Sequence, residues 1–243
     1  MTALWFATPI CHLSSAISIM NDFSFYFKIG WQHIITIEAL DHILFIAALA
    51  AIYMLRDWKQ VLILVTAFTV GHTVTLILST KQMVDVNSNL VEFLIPCTIV
   101  VTAISNLFQK NFTPRSVRIN YFLALFFGLI HGLAFANTLR MILASDQSFA
   151  LSMFSFSLGL ELGQVLIVFF ILLLSQLLIG VLKIERKHWV IFLSAGVFAL
   201  ALEMALERWT KAHPSTTFSE SGKTVLKPFP VGREESFFRF KKA

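Results

Sequence analysis

The sequence predicts an all-α integral membrane protein, a bundle of about six transmembrane helices. Of its 243 residues 57% are hydrophobic and only 14% are charged, against roughly 25% charged residues in soluble domains. Mean hydropathy is +0.77. The apolar residues come in runs close to the ~20 residues that a helix needs to cross a bilayer. No alternating stretch is long enough for a barrel, and an open sheet cannot cross lipid because its edges stay unpaired.

Residues 1–29 are read as an N-terminal extension. Residues 1–19 are moderately apolar, but Pro9, His12 and several serines interrupt them, and the basic start of a secretion signal is missing. A transmembrane helical domain is expected over 30–209, with spans at about 31–54, 60–79, 90–108, 119–139, 150–182 and 189–206. Short polar connectors such as Arg56-Asp57-Trp58-Lys59 separate them, which implies antiparallel neighbours. The fifth run exceeds the length needed to cross, so it must tilt, kink or emerge into water, with Gly159 and Gly163 the places expected to bend. Residues 210–243 form a polar, basic C-terminal tail, expected outside the membrane.

The formal charge of +5 sits in connectors and tail. No basic stripe with interleaved aromatics occurs in the folded part, so a nucleic-acid partner is not expected. Cys11 and Cys97 are too few and too far apart for a disulfide framework. Eight basic residues (Arg56, Lys59, Lys110, Arg115, Arg118, Lys183, Arg186, Lys187) fall on one side of the spans and three (Lys28, Lys81, Arg140) on the other. The richer side is expected to be cytoplasmic.

Ionisable residues inside the runs carry the functional reading. Glu38, Asp41, Glu92, Glu161 and Glu203 lie within or near them, with His33, His42, His72 and His131. A charge at the bilayer centre costs about 2.5–3.5 kcal/mol on insertion scales, so such residues pair, bind a cation or line a watery cavity. Positions three or four apart share a helix face. Glu38, Asp41 and His42 satisfy that rule, as do Thr69, His72 and Thr73, and Ser157, Glu161 and Gln164. Imidazole nitrogen with carboxylate oxygen suits divalent nickel, cobalt, zinc, iron or manganese. The candidate metal residues are His33, Asp41, His42, His72 and His131, with Glu38, Thr69, Glu161 and Gln164 as additions. Simpler readings stand beside these: His131 could merely bond across a close helix contact, and Glu203 and Glu207 suit a solvated helix end. Gly128, Gly132 and Ala136, and Gly159 with Gly163, are rows of small residues that let helices approach closely.

Three segments resemble the HupE/UreJ family of membrane proteins. They are Gly30-Trp31-Gln32-His33 followed by Asp41-His42-Ile43-Leu44-Phe45, the stretch Thr66 to Leu76 around Gly71-His72-Thr73, and Phe127-Gly128-Leu129-Ile130-His131-Gly132-Leu133-Ala134-Phe135-Ala136. The resemblance covers most of residues 28–176. It implies six or so spans and uptake of nickel or cobalt, supplying hydrogenase or urease. It also implies metal-linked roles for His33, Asp41, His42, His72 and His131. The interval from His33 to Asp41-His42 is longer than in well-studied nickel permeases.

The function expected is therefore transport of a divalent transition metal, nickel or cobalt, through a His/carboxylate site in the bundle. The chain is expected not to be an enzyme. The ion is the transported substrate, and no tightly bound cofactor is expected. Expected partners are the lipid bilayer and either a homo-oligomer or metalloenzyme-maturation proteins, in a bacterial inner membrane. The competing classes are an intramembrane metal-dependent enzyme and a haem or redox membrane protein. No HExxH, GxSxG or Walker A motif is present, which removes the commonest zinc-protease, serine-hydrolase and ATPase forms.

Overall fold

A computed structural model describes residues 7–36, 39–84, 86–108, 117–143 and 149–212, without the side chains of 7–18, 117–119, 137, 140, 143, 211 and 212. Among the described residues there are seven α-helices and no strand: α1 Ala7–Ile35, α2 Leu40–Ala50, α3 Trp58–Thr80, α4 Ser88–Leu107, α5 Val117–Leu143, α6 Phe149–Gln176 and α7 Arg186–Ala212. The chain is an all-α integral membrane protein. The polar tail expected over 210–243 lies outside the described residues beyond Ala212.

Polarity is distributed inside out, as lipid solvent demands. On α6, Phe154, Leu162, Phe169, Phe170, Leu173 and Leu174 face outward, whereas Ser152, Ser155, Gln164 and Ser175 are buried. Four segments are long and apolar enough to cross a membrane: Leu55–Thr80, Ser88–Leu107, Phe149–Val181 and Arg186–Thr210. The bent pair Ile19–Ile35 and Leu40–Ala50 makes a fifth if it counts as one span. The apolar part of α5, Asn120–Ala136, is shorter.

The first expected span, 31–54, is corrected. It is not one helix. Instead α1 is already helical from Ala7, inside the segment read as an extension, and α2 follows it after a bend of 69°. The sequence Ile34-Ile35-Thr36-Ile37 supplies the reason. Consecutive β-branched residues crowd the preceding turn and lower helix propensity. α2 has only 11 residues, most of them buried, too short to cross the bilayer alone. Side chains from elsewhere occupy its last carbonyls. Asn106 of α4 donates to Ala48 O at 2.7 Å and Arg186 of α7 donates to Ile52 O. The fifth expected span is one long helix. α6 stays α-helical through Gly159 and Gly163 and ends in a π turn, Leu177–Val181.

Three helix pairs build the bundle: α3 with α5, α1 with α6 and α4 with α7. The first two depend on glycine. A Cβ on Gly71 would collide with the Leu125 carbonyl, and one on Gly128 with the Phe68 carbonyl. Gly30 and Gly159 leave the same room for the α1–α6 contact. Gly132 backs onto the His72 carbonyl, so the small-residue row beside His131 seats α5 against the turn of α3 that carries His72.

Candidate metal centre

Four histidines from four helices meet inside the bundle. His33 closes α1, His42 opens α2, His72 lies two-thirds along α3 and His131 lies mid-way along α5. Ring centroids of His33 and His42 are 4.9 Å apart, those of His42 and His131 5.0 Å, of His33 and His72 6.0 Å, and of His42 and His72 6.1 Å. One ring nitrogen each from His33, His42 and His72 lie within 4.8 Å of one another. His131 is not in that tightest trio and joins it through His42.

The surroundings are dry and aromatic. Phe135 lies 4.0 Å from His33, Phe68 5.2 Å from His131, and Phe156 6.0 Å from His33 and 6.3 Å from His72, ring centre to ring centre. His72 is fully buried and His131 nearly so. Yet Nε2 of His33, His42 and His131 and both ring nitrogens of His72 are buried without a hydrogen-bond partner. Buried polar atoms are normally satisfied, because leaving one unpaired costs about 1–3 kcal/mol. Among the described residues, these unpartnered nitrogens set the histidine group apart from the buried hydroxyls of the same bundle, most of which are bonded.

The partners of the other nitrogens fix those lone pairs. His42 Nδ1 lies 2.9 Å from Asp41 Oδ1. His131 Nδ1 lies 2.8 Å from the Phe127 carbonyl, which can only accept. Each ring therefore carries its hydrogen on Nδ1 and presents a lone pair at Nε2. A carboxylate behind an imidazole is the arrangement that orients histidine ligands and raises their basicity. Asp41 also accepts from the His42 backbone N–H at 2.9 Å, which ties the carboxylate to the first turn of α2.

Arg208 is the residue that sequence reading missed. It lies beyond the last expected span, yet its guanidinium reaches Asp41 Oδ2 at 3.4 Å and donates to the Glu92 carbonyl at 2.7 Å. Pro96 explains the second contact. In a regular helix the N–H of residue 96 would bond to the carbonyl of residue 92, but proline has no N–H. The Glu92 carbonyl is left for Arg208. A proline in α4 thus anchors an arginine of α7, which holds Asp41, which orients His42. The sequence signal was the unbalanced Asp41, which requires a counter-charge in a buried place.

The other candidates fall elsewhere. Glu161 accepts from Thr66 and Gln164 from Thr69, across the α3–α6 contact and outside the histidine trio. The Glu92 and Glu203 side chains and Glu207 are exposed. Glu38 lies outside the described residues.

A family model described as HupE / UreJ protein matches residues 11–210. The chain belongs to this family. The resemblance read from the three sequence segments is borne out, and those segments are the ones that deliver His33, Asp41-His42, His72 and His131 to one place. No curated protein and no solved structure matches this HupE/UreJ chain. Family membership and the apolar helices together make it a multi-pass membrane protein.

Proposed function

We propose that this HupE/UreJ protein carries a divalent transition-metal ion, nickel or cobalt, across a bacterial inner membrane, without catalysing a reaction. One observation carries the reading: histidines of α1, α2 and α3 turn unpartnered ring nitrogens into one buried space, with Asp41 behind the middle one. His33, His42 and His72 would ligate the ion, and His131 would complete or relay it. Asp41 supplies the negative charge that offsets the cation. Two nitrogens each about 2.1 Å from one ion stand at most about 4.2 Å apart. The trio's nitrogens lie within 4.8 Å of one another, close to that limit. A carrier's ion must also leave as readily as it enters.

The test is metal uptake into proteoliposomes holding the purified full-length protein, comparing nickel, cobalt, zinc, iron and manganese. Nickel or cobalt uptake that disappears in His42→Ala and Asp41→Asn, and persists in Glu207→Gln on the exposed face of α7, is the expected result. Uptake by both site variants at the unaltered rate would sink the proposed centre.

A further inference from the structure

The α3–α6 contact holds a second polar group that the histidines do not use. Two pairs of residues, each three positions apart, face each other across it: Thr66 and Thr69 on α3, Glu161 and Gln164 on α6. Thr66 Oγ1 donates to Glu161 Oε1 at 2.6 Å, and Thr69 Oγ1 to Gln164 Oε1 at 3.1 Å. One turn on, Thr73 Oγ1 and Ser157 Oγ are 2.8 Å apart. Gln164 is 1% exposed and its Nε2 has no partner, so a buried amide is aimed into this interface with a bond unmade.

Glu161 lies twelve residues into α6, roughly 18 Å along its axis at ~1.5 Å per residue. It falls within the candidate membrane span Phe149–Val181. No ion pair reaches it among the described residues. The titratable groups with described side chains on the elements packed against α6 are Asp22, Tyr26, Lys28 and His33 of α1, Asp41 and His42 of α2, Arg56 and Asp57 of the turn Leu55–Asp57, and Lys59 and His72 of α3. None of the acidic, basic or histidine groups among them bonds to Glu161. Tyr121 of α5 lines the same outer groove as Thr66, with Leu62, Ile63, Ala67 and Val70. Carboxylates within membrane-spanning segments are costly to keep and mark ion pathways and proton relays. The group also connects two places. Thr66 opens to the outer groove, and Thr69 lies one turn before His72.

From this geometry we infer that Glu161, held by Thr66, is a proton-exchange site of the carrier, with Thr69 and Gln164 linking it to the histidine centre. The coupling rests on the transport reading above, whereas the acid site does not. The Thr66 hydroxyl donates to Oε1, which leaves Oε2 to take up and release the proton.

Dicyclohexylcarbodiimide tests the acid directly. It reacts with a protonated carboxyl group. The acid's oxygen joins the carbodiimide carbon, the proton passes to nitrogen, and an acyl shift leaves a stable N-acylurea on the side chain. The full-length protein in liposomes is treated at a series of pH values and mapped by mass spectrometry. The label is expected on Glu161, to decline as pH rises, and to be indifferent to exchanging potassium for sodium. It should vanish in Glu161→Gln. In the same liposomes an imposed pH gradient should accelerate nickel uptake by the wild type, an acceleration lost in Glu161→Gln. Folded protein that takes no label on Glu161, label independent of pH, or protection by sodium at fixed pH would overturn the proton site. Nickel uptake indifferent to the gradient would overturn its coupling. Protein labelled at Glu161 that moves no metal would overturn the transport reading and leave the acid site standing.

Discussion

Helix α3 passes two polar groups that differ in how they are satisfied. Around His72 the neighbours are aromatic rings and other histidines, and the ring nitrogens find no hydrogen-bond partner. Within about two turns of it, Thr69, Thr73 and Thr66 meet Gln164, Ser157 and Glu161 in hydrogen-bonded pairs, with only the Gln164 Nε2 left over among the described residues. Both groups sit in the same low-dielectric bundle, where an unmade bond is costly. The threonine group stabilises the contact between two helices through its own bonds. The histidine group leaves most of its ring nitrogens unpaired, which is what the proposed metal would use. Burial alone does not separate the two, because His72 and Gln164 are equally hidden. What separates them is the number of lone pairs left over.

That contrast can be broken most directly at His42. His42→Ala removes a ligand and should abolish nickel binding, measured by calorimetry on protein in detergent. Asp41→Asn keeps the shape but loses the charge behind the imidazole. Losses of this kind cost about 10–100-fold in metal affinity, and a value unchanged from wild type would detach Asp41 from the centre. Acid should act in the same direction. A protonated imidazole has no lone pair to give, so protons compete with the ion and affinity should fall as the pH is lowered into the acid range. Affinity that never falls down to the pH at which the protein unfolds would mean that histidines do not hold the ion.

The helix contacts beneath the site give smaller effects of a different kind. Gly71→Val pushes a side chain into the Leu125 carbonyl and should destabilise the fold by roughly 1–3 kcal/mol, the usual range for overpacking. Thermal unfolding in detergent reads this, and an unshifted midpoint would mean that α3 and α5 are not in close contact. Arg208→Gln should show the smallest effect, with opposite signs in two measurements. Asp41 loses its resident cation, so the unfolding temperature should drop slightly. The same change leaves the centre more negative, so nickel should bind a few-fold more tightly. Weaker binding in Arg208→Gln would instead mean that the arginine acts only by holding Asp41 in position.

Much of this was legible in the chain. Helices α3 to α7 occupy the stretches where the apolar runs predicted them, since a run of about twenty apolar residues has few other stable fates in lipid. The histidines and Asp41 were legible too, because ionisable groups in such runs demand a reason. Arg208 was not. It stands at the end of its run, where an arginine ordinarily reaches interface water. Its role depends on a carbonyl freed by Pro96, more than a hundred residues away in sequence. Glu161 was read as an addition to the metal group because it shares a face with Gln164. Helical spacing shows which residues share a face and is silent on which neighbour that face meets.

The sequence by itself determined that helices cross a membrane and that four histidines must be hidden among them. The grouping of His33 with His42 was an expectation from the sequence, and only the tertiary structure brings their rings together. In an unbroken helix nine residues separate them by about 13.5 Å along the axis and place them on opposite faces. The break after α1 and the turn into α2 fold that distance back, and the rings stand 4.9 Å apart. A run of β-branched residues weakens the helix at that point. The direction of the bend is set by the burial of α2 against α4, α6 and α7, contacts that no local pattern encodes.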